Sequence, residues 1–285
     1  MKPLTLASAG WFEAATEGWR AELELVCERR GGRTVLARKR QLGPLTVQRP
    51  FYPEGAPCHL YLLHPPGGVV GGDRLAVSIG AAPGAQVLIT TPGAGKLYRS
   101  AGAKALQTQH LRVAGGAVLE WLPQEMILFP GARVDNRTQV ELNGDGRFIG
   151  WEILCLGRPA IGERFNNGSL RARLRVSRDG RPLLSELLRI DAGYGLDAPS
   201  GLRGQSVSGT FIASGAGTGT LAAARAAVSA ASGLLLGITL LDDLLVARCL
   251  GATTEPVQRV FCALWTALRP RLLGREACPP RIWAT

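Results

Sequence analysis

Short runs of alternating apolar and polar residues, punctuated by glycine, fill the first three quarters of the chain. In residues 21–28, Leu23, Leu25 and Cys27 share one parity while Glu22, Glu24 and Glu28 share the other. Side chains of a strand point to opposite faces, so this alternation predicts a strand with one buried face. Gly31-Gly32 supplies a turn, and residues 33–40 return with Val35 and Ala37 opposite Arg38 and Arg40. The expectation is a hairpin with Glu–Arg pairs across it. The same reasoning predicts strands at 44–47, 60–63, 75–79, 87–91, 106–113, 117–122, 127–129, 138–142, 148–156, 170–176, 183–190 and 207–212. In 170–176, Arg171, Arg173 and Arg175 take one face, and Ala172, Leu174 and Val176 the other.

The last quarter changes period. Residues 221–232 are alanine-rich and predict a helix by propensity. Residues 234–241 and 244–250 predict a hairpin across Asp242-Asp243. A second helix begins at a Thr254 cap, with Glu255 and Pro256 in its first turn. Val257, Val260, Phe261, Leu264, Trp265 and Leu268 then mark one face at helical spacing, and Arg269-Pro270 is the expected end. The organisation read from this is one domain over 1–285. It is strand-rich to about 215, helix–hairpin–helix over about 218–272, with a tail at 273–285. Regular strand spacing with local turns argues for antiparallel β structure, and no βαβ alternation supports a dinucleotide-binding fold.

Composition narrows this further. The chain has 37 glycines and 18 prolines, spread throughout, which suits many tight turns. No apolar run reaches the roughly 18 residues of a membrane span, and Met1 to Gly10 holds no apolar block of signal-peptide length before Trp11 and Glu13. The expected location is the cytoplasm. The six cysteines (Cys27, Cys58, Cys155, Cys249, Cys262 and Cys278) contain no C-x-x-C pair and predict neither a disulfide framework nor a zinc site. A net charge of +11 points to an acidic partner. The charges form no long run and aromatics are only 6%, so an acidic protein surface fits at least as well as nucleic acid.

The densest local signal is His64-Pro65-Pro66-Gly67-Gly68-Val69-Val70-Gly71-Gly72-Asp73. It fits no G-x-G-x-x-G loop, and no helix follows to present its N-terminus to a phosphate. Gly95-Lys96 ends like a phosphate-binding loop, but Thr90 stands at the first glycine position and Leu97 where the Mg²⁺-binding hydroxyl belongs. G-x-S-x-G is absent. Of three histidines, His59 and His64 lie five apart beside Cys58, a spacing suited only to transient metal contact, and His110 sits within a strand. Asp73, Glu120, Glu125, Glu152 and Glu163 lie in apolar or aromatic settings. Burying a carboxylate is costly unless it is paired. Each therefore either meets an arginine or backbone amides, or lines an internal watery path for a divalent cation.

Several runs together resemble the urease accessory protein UreD (UreH) family. They are Phe51-Tyr52-Pro53-Glu54-Gly55, His64 through Gly68 with Gly71-Gly72-Asp73, Thr90-Thr91-Pro92-Gly93-Ala94, Lys96, and Tyr98-Arg99-Ser100. The rest are Leu119 through Glu125, Gly150-Trp151-Glu152, Gly157-Arg158-Pro159-Ala160 and Pro280-Arg281-Ile282-Trp283-Ala284-Thr285. They follow family order from about residue 11 onward. Departures at Gly95, Leu97 and Pro130 affect loops only. The resemblance implies a mainly β fold of stacked antiparallel or mixed sheets, β-helix-like, with two helices near the C-terminus. It implies a maturation scaffold and not an enzyme. Such a scaffold binds apo-urease and UreF, and reaches the GTPase UreG through UreF. Ni²⁺ would be in transit with no tightly bound cofactor, and Asp73, Glu125, Glu152, Glu163, His59 and His64 are the candidate path residues. The C-terminal helices and tail would dock UreF, with Arg259 and Arg269 as candidate contacts. Two other classes stay open on the residues alone: a basic nucleic-acid-binding β protein, and a small-molecule enzyme using the acids near Trp121 and Trp151.

Overall fold

The structure is a computed structural model and describes residues 18–284. The readings of Met1 to Gly10, Trp11, Glu13 and Thr285 fall outside those residues. The first strand, β1 (Arg20–Arg30), pairs antiparallel with β2 (Arg33–Leu42), and Arg38 meets Glu24 across the hairpin at 2.8 Å. The inward face of β2 differs from expectation. A bulge between Val26 and Cys27 shifts the register, so Thr34 and Leu36 turn toward the core in place of Val35 and Ala37.

A coil then repeats. After β3 (Thr46–Val47), β4 (Cys58–Leu63) lies in one sheet and β5 (Arg74–Ala81) in the facing one. The next coil is β6 (Gln86–Thr90), β7 (Gly95–Leu97) and β8 (Ala105–Val113). After it come β9 (Val118–Leu122), β10 (Met126–Leu128) and β11 (Arg133–Leu142). The last is β12 (Arg147–Arg158), β13 (Glu163–Arg164) and β14 (Ser169–Arg178). Corresponding strands of successive coils pair in parallel: β5 with β8, β8 with β11, β11 with β14, β4 with β6, β6 with β9, and β9 with β12. The antiparallel expectation from strand spacing is therefore corrected, and the mixed, β-helix-like stacking that the resemblance implied is what the chain adopts. Regular spacing with tight corners suggested hairpins, but each corner carries the chain to the opposite sheet. Within the coils a strand thus meets its parallel neighbour only after a full turn, which is the crossover that parallel pairing needs.

Antiparallel strands close the far end: β15 (Arg181–Asp191) against β14, and β16 (Val207–Ser214) against β12. Helix α1 (Thr218–Ala227) follows, then the hairpin of β17 (Leu235–Leu241) and β18 (Leu244–Gly251), and α2 (Thr254–Leu273). Among the described residues the strands form a 7-stranded and an 11-stranded sheet. A first core fills the space between them, and a second lies between the larger sheet and the helices. Strands β6, β9 and β12 are covered on both faces, which explains their nearly unbroken apolar runs.

The predicted stripe of α2 is buried against that second core, with Val257, Phe261, Leu264, Trp265 and Leu268 fully covered. Burying each such side chain is worth about 1.5–3 kcal/mol. Both helix ends move relative to expectation. Thr253 occupies the α2 N-cap, and the helix runs through Pro270 to a left-handed Gly274. The packing of Leu272 and Leu273 against the second core holds that last turn despite the proline. Helix α1 stops at Ala227, where the Ser229 hydroxyl bonds the Ala226 carbonyl at 3.0 Å and competes with the helix.

The candidate functional site: a carboxylate-lined cavity between the sheets

Two hollows lie along the inner face of β12. One, of about 170 Å³, is lined by Gln107, Gln109, Trp121, Glu125, Thr138 and Glu152 among others. The other, of about 410 Å³, is lined by Glu152, Ala172, Glu186, Thr210 and Arg248 among others. Glu152 and Leu154 belong to both. Both linings are largely apolar, with polar groups gathered around Glu152, where a water finds partners.

Glu152 reaches this position because its neighbours in β12 alternate. Trp151 and Ile153 face the helices while Glu152 and Leu154 face the smaller sheet. Its carboxylate accepts from Asn136 Nδ2 at 2.9 Å and lies 2.5 Å from the Thr138 hydroxyl. Among the described residues no arginine or lysine is within ion-pair distance of it. Burial raises its carboxyl above the usual range, the two hydrogen bonds oppose this, and the charge of Glu186 adds to the rise. Thr138 also lies 3.1 Å from Gln109 Oε1, its partner in the parallel ladder. One hydroxyl proton serves one acceptor. A protonated Glu152 donating to Thr138, which donates in turn to Gln109, satisfies all three groups.

Glu125 lines the same cavity from the corner between β9 and β10. It is 3.4 Å from the Thr254 hydroxyl, and Gln258 Nε2 donates to Gln124 at 2.5 Å. The cavity wall is thereby tied to the first turns of α2. Glu186, which was not anticipated, faces the second hollow and holds Arg248 at 2.5 Å. The parity of 183–190 carried that signal: Leu184 and Ile190 are buried, and Glu186 shares their face.

The other expected path residues are elsewhere. Asp73 is buried, but its carboxylate accepts from the backbone N–H of Trp19 at 2.9 Å and of Val70 at 3.0 Å. It fastens the Pro-Gly corner, whose glycines allow close contact. A Cβ at Gly68 would lie 2.2 Å from the Tyr98 ring, and one at Gly71 would lie 2.1 Å from the Ser100 hydroxyl. His64 is half-buried beside this corner, and burial lowers its pKa against the opposing charge of Asp73. Glu163 forms a two-pronged pair with Arg158 at 2.6 and 2.5 Å on the outside. Among the described residues no group of three His, Cys, Asp or Glu converges to hold a metal.

His59 belongs to a separate buried network. Its Nε2 lies 2.7 Å from Glu54 Oε1, and Arg269 binds both Glu54 and Glu120. Trp265 Nε1 also donates to Glu120, at 2.6 Å. Burial works against charge here. Hydrogen bonds from His59 and Arg269 nevertheless hold the Glu54 carboxyl at about 2, and the two glutamates push Arg269 above its ordinary value. Arg269 is 0% exposed, which corrects its expected place on a docking face. An arginine between two carboxylates is held by the interior of the chain. Arg259 is exposed and pairs with Glu255 one turn away at 3.4 Å. Trp283 of the tail packs near Trp151 and Trp265 and donates to Thr90 at 2.9 Å.

The model of the family described as UreD urease accessory protein matches residues 19–284. The chain is 50% identical over 277 residues to the urease accessory protein UreD of Azoarcus sp. (strain BH72), covering 96% of this chain and 97% of that protein. It is 49% identical over 274 residues to that of Alcanivorax borkumensis (94% and 93% covered) and 48% over 269 residues to that of Klebsiella aerogenes (94% and 98%).

The chain belongs to the UreD family of urease accessory proteins.

The UreD match spans the cavity-bearing coils and both C-terminal helices. No helix among the described residues is long and apolar enough to cross a membrane.

Proposed function

We propose that this chain is a non-enzymatic urease maturation scaffold that binds apo-urease and UreF and conducts Ni²⁺ from UreG toward the urease active site. The observation that carries the reading is Glu152: a carboxylate shared by two hollows, with hydroxyl and amide partners but no cation among the described residues. A divalent ion arriving there would displace the proton that burial favours, and it would find hard oxygen ligands in Glu152, Thr138 and Gln109. Glu125 and Glu186 provide further carboxylates along the same face. The donors are strung out along the inside, which suits passing an ion on. UreF docks at the helical end, where α2 contacts the cavity wall through Thr254 and Gln258 and leaves Arg259 exposed. The location this reading expects is the cytoplasm.

The test is co-purification of the full chain with UreF and apo-urease, followed by nickel analysis of the urease produced with wild-type, Glu125→Ala or Glu152→Gln chain. Assembly is expected to persist while nickel content falls severalfold in each variant. A folded wild-type chain that captures neither partner would end the scaffold reading. Full nickel content in both variants would remove the cavity as the path.

A further inference from the structure

The outward face of β11, β14 and β15 carries charge that neither the core nor the cavity uses. Arg171, Arg173 and Arg175 alternate along β14 with buried Ala172 and Leu174 and so all point outward. In the parallel register Arg137 stands beside Arg173, and on the other side Arg189 stands beside Arg171. Strands lie about 4.8 Å apart, so these guanidiniums crowd one another. Like charges in facing cross-strand positions destabilise a sheet. The acids on this face are already engaged: both Asp135 oxygens bind Arg137, at 2.9 and 2.7 Å, and Asp191 is 3.7 Å from Arg189. No carboxylate comes within 4 Å of Arg171, Arg173 or Arg175 among the described residues. Desolvation and then repulsion from Arg171, Arg175 and Arg137 lower the pKa of Arg173.

An arrangement that costs stability and is not needed for the fold calls for an external partner. We propose that this face docks an acidic protein surface, and that the surface belongs to apo-urease; the second clause rests on the scaffold reading above. Leu187 decides for protein over nucleic acid. It is 53% exposed and stands directly opposite Arg173, so an apolar side chain sits amid arginines. Apolar centres with arginine around them are the anatomy of protein interfaces. Binding of single-stranded nucleic acid relies on aromatic stacking, and the outward positions of β11, β14 and β15 carry no aromatic residue. The face is also separate from the α2 end, so both partners can be held together.

The experiment compares full-length wild type with R171E/R173E/R175E for binding to purified apo-urease, with a labelled single-stranded RNA run in the same buffer. The expected result is at least a tenfold weaker affinity of the variant for apo-urease, with unchanged circular dichroism and a Tm no lower than wild type, since the new carboxylates stand beside Arg137 and Arg189. The wild-type affinity should fall as salt is raised, because exposed charges are screened. R171K/R173K/R175K keeps the charge and should recover most of the binding. R173E alone, should the triple variant fold poorly, is expected to weaken binding severalfold. Equal binding by wild type and a folded charge-reversed chain overturns this surface while leaving the scaffold reading intact. RNA binding that is tighter than apo-urease binding and is abolished by the reversal also overturns it. Failure of wild type to bind apo-urease at all removes the scaffold reading and this assignment together.

Discussion

Glu120 and Glu152 stand on neighbouring parallel strands in the interior, Glu120 fully buried and Glu152 partly open to the hollows beside it, and their surroundings differ. Glu120 accepts from Arg269 at 2.9 Å and from Trp265 at 2.6 Å, so its charge is cancelled inside the fold. Glu152 has Asn136 and Thr138 and, among the described residues, no cation. A buried acid with an arginine serves architecture. A buried acid without one either keeps a proton or waits for a metal. The comparison separates two roles that the sequence placed in one class.

The largest effect should come from breaking the first site. Arg269→Ala leaves Glu54 and Glu120 buried without their cation, and loss of about 3–5 kcal/mol in denaturant unfolding is expected. An unchanged midpoint would show that water replaces the guanidinium. Glu152→Gln sharpens the contrast from the other side. The amide keeps an oxygen to accept from Asn136 and an N–H to donate to Thr138, as the protonated acid does, so stability should hold within about 1 kcal/mol. Nickel content of co-expressed urease should nevertheless fall severalfold.

The two sites should also answer pH with opposite sign. Glu54 is held at about 2, below its usual 4.5. The stability it contributes is present above the unfolded value and is lost as pH falls from 4.5 through about 2. Glu152 is raised, so above its unfolded value the native state holds the extra proton, and stability declines as pH rises. Relative to wild type, Glu152→Gln should therefore gain stability with increasing pH, measured as the difference between two unfolding series. Parallel series would mean that Glu152 is ionised without strain. The smallest effect is expected at Glu163, whose pair with Arg158 is solvent-exposed. Glu163→Ala should leave both Tm and nickel loading unchanged.

Much of the architecture was written in the pattern of residues. Strand positions, the Asp242-Asp243 hairpin and the α2 stripe follow from parity and helical spacing, which are local properties. Parallel pairing does not follow, because it depends on which sheet each corner delivers the chain to. Arg269 shows the same limit: at the end of a helix and before a proline it looks like a surface cation, and only the fold brings Glu54 to it from 215 residues away. The residues around Asp73 leave it between backbone amides and a cation path, and the Trp19 and Val70 amides that hold it are fixed in space and not in sequence. Glu186 was legible from strand parity alone, whereas its partner Arg248 was not.

The distance between Glu54 and Arg269 also bears on the order of assembly. Each coil of the solenoid completes itself against the coil before it, so growth can follow synthesis. The Glu54–Arg269–Glu120 tie cannot form until Arg269 has been made, and Trp283 reaches Thr90 later still, across 193 residues. A chain released early would carry two acids facing an empty site, and an aromatic pocket without its plug. The segment from Arg269 to Trp283 thus acts as a late seal, and only chains synthesised through it are able to close.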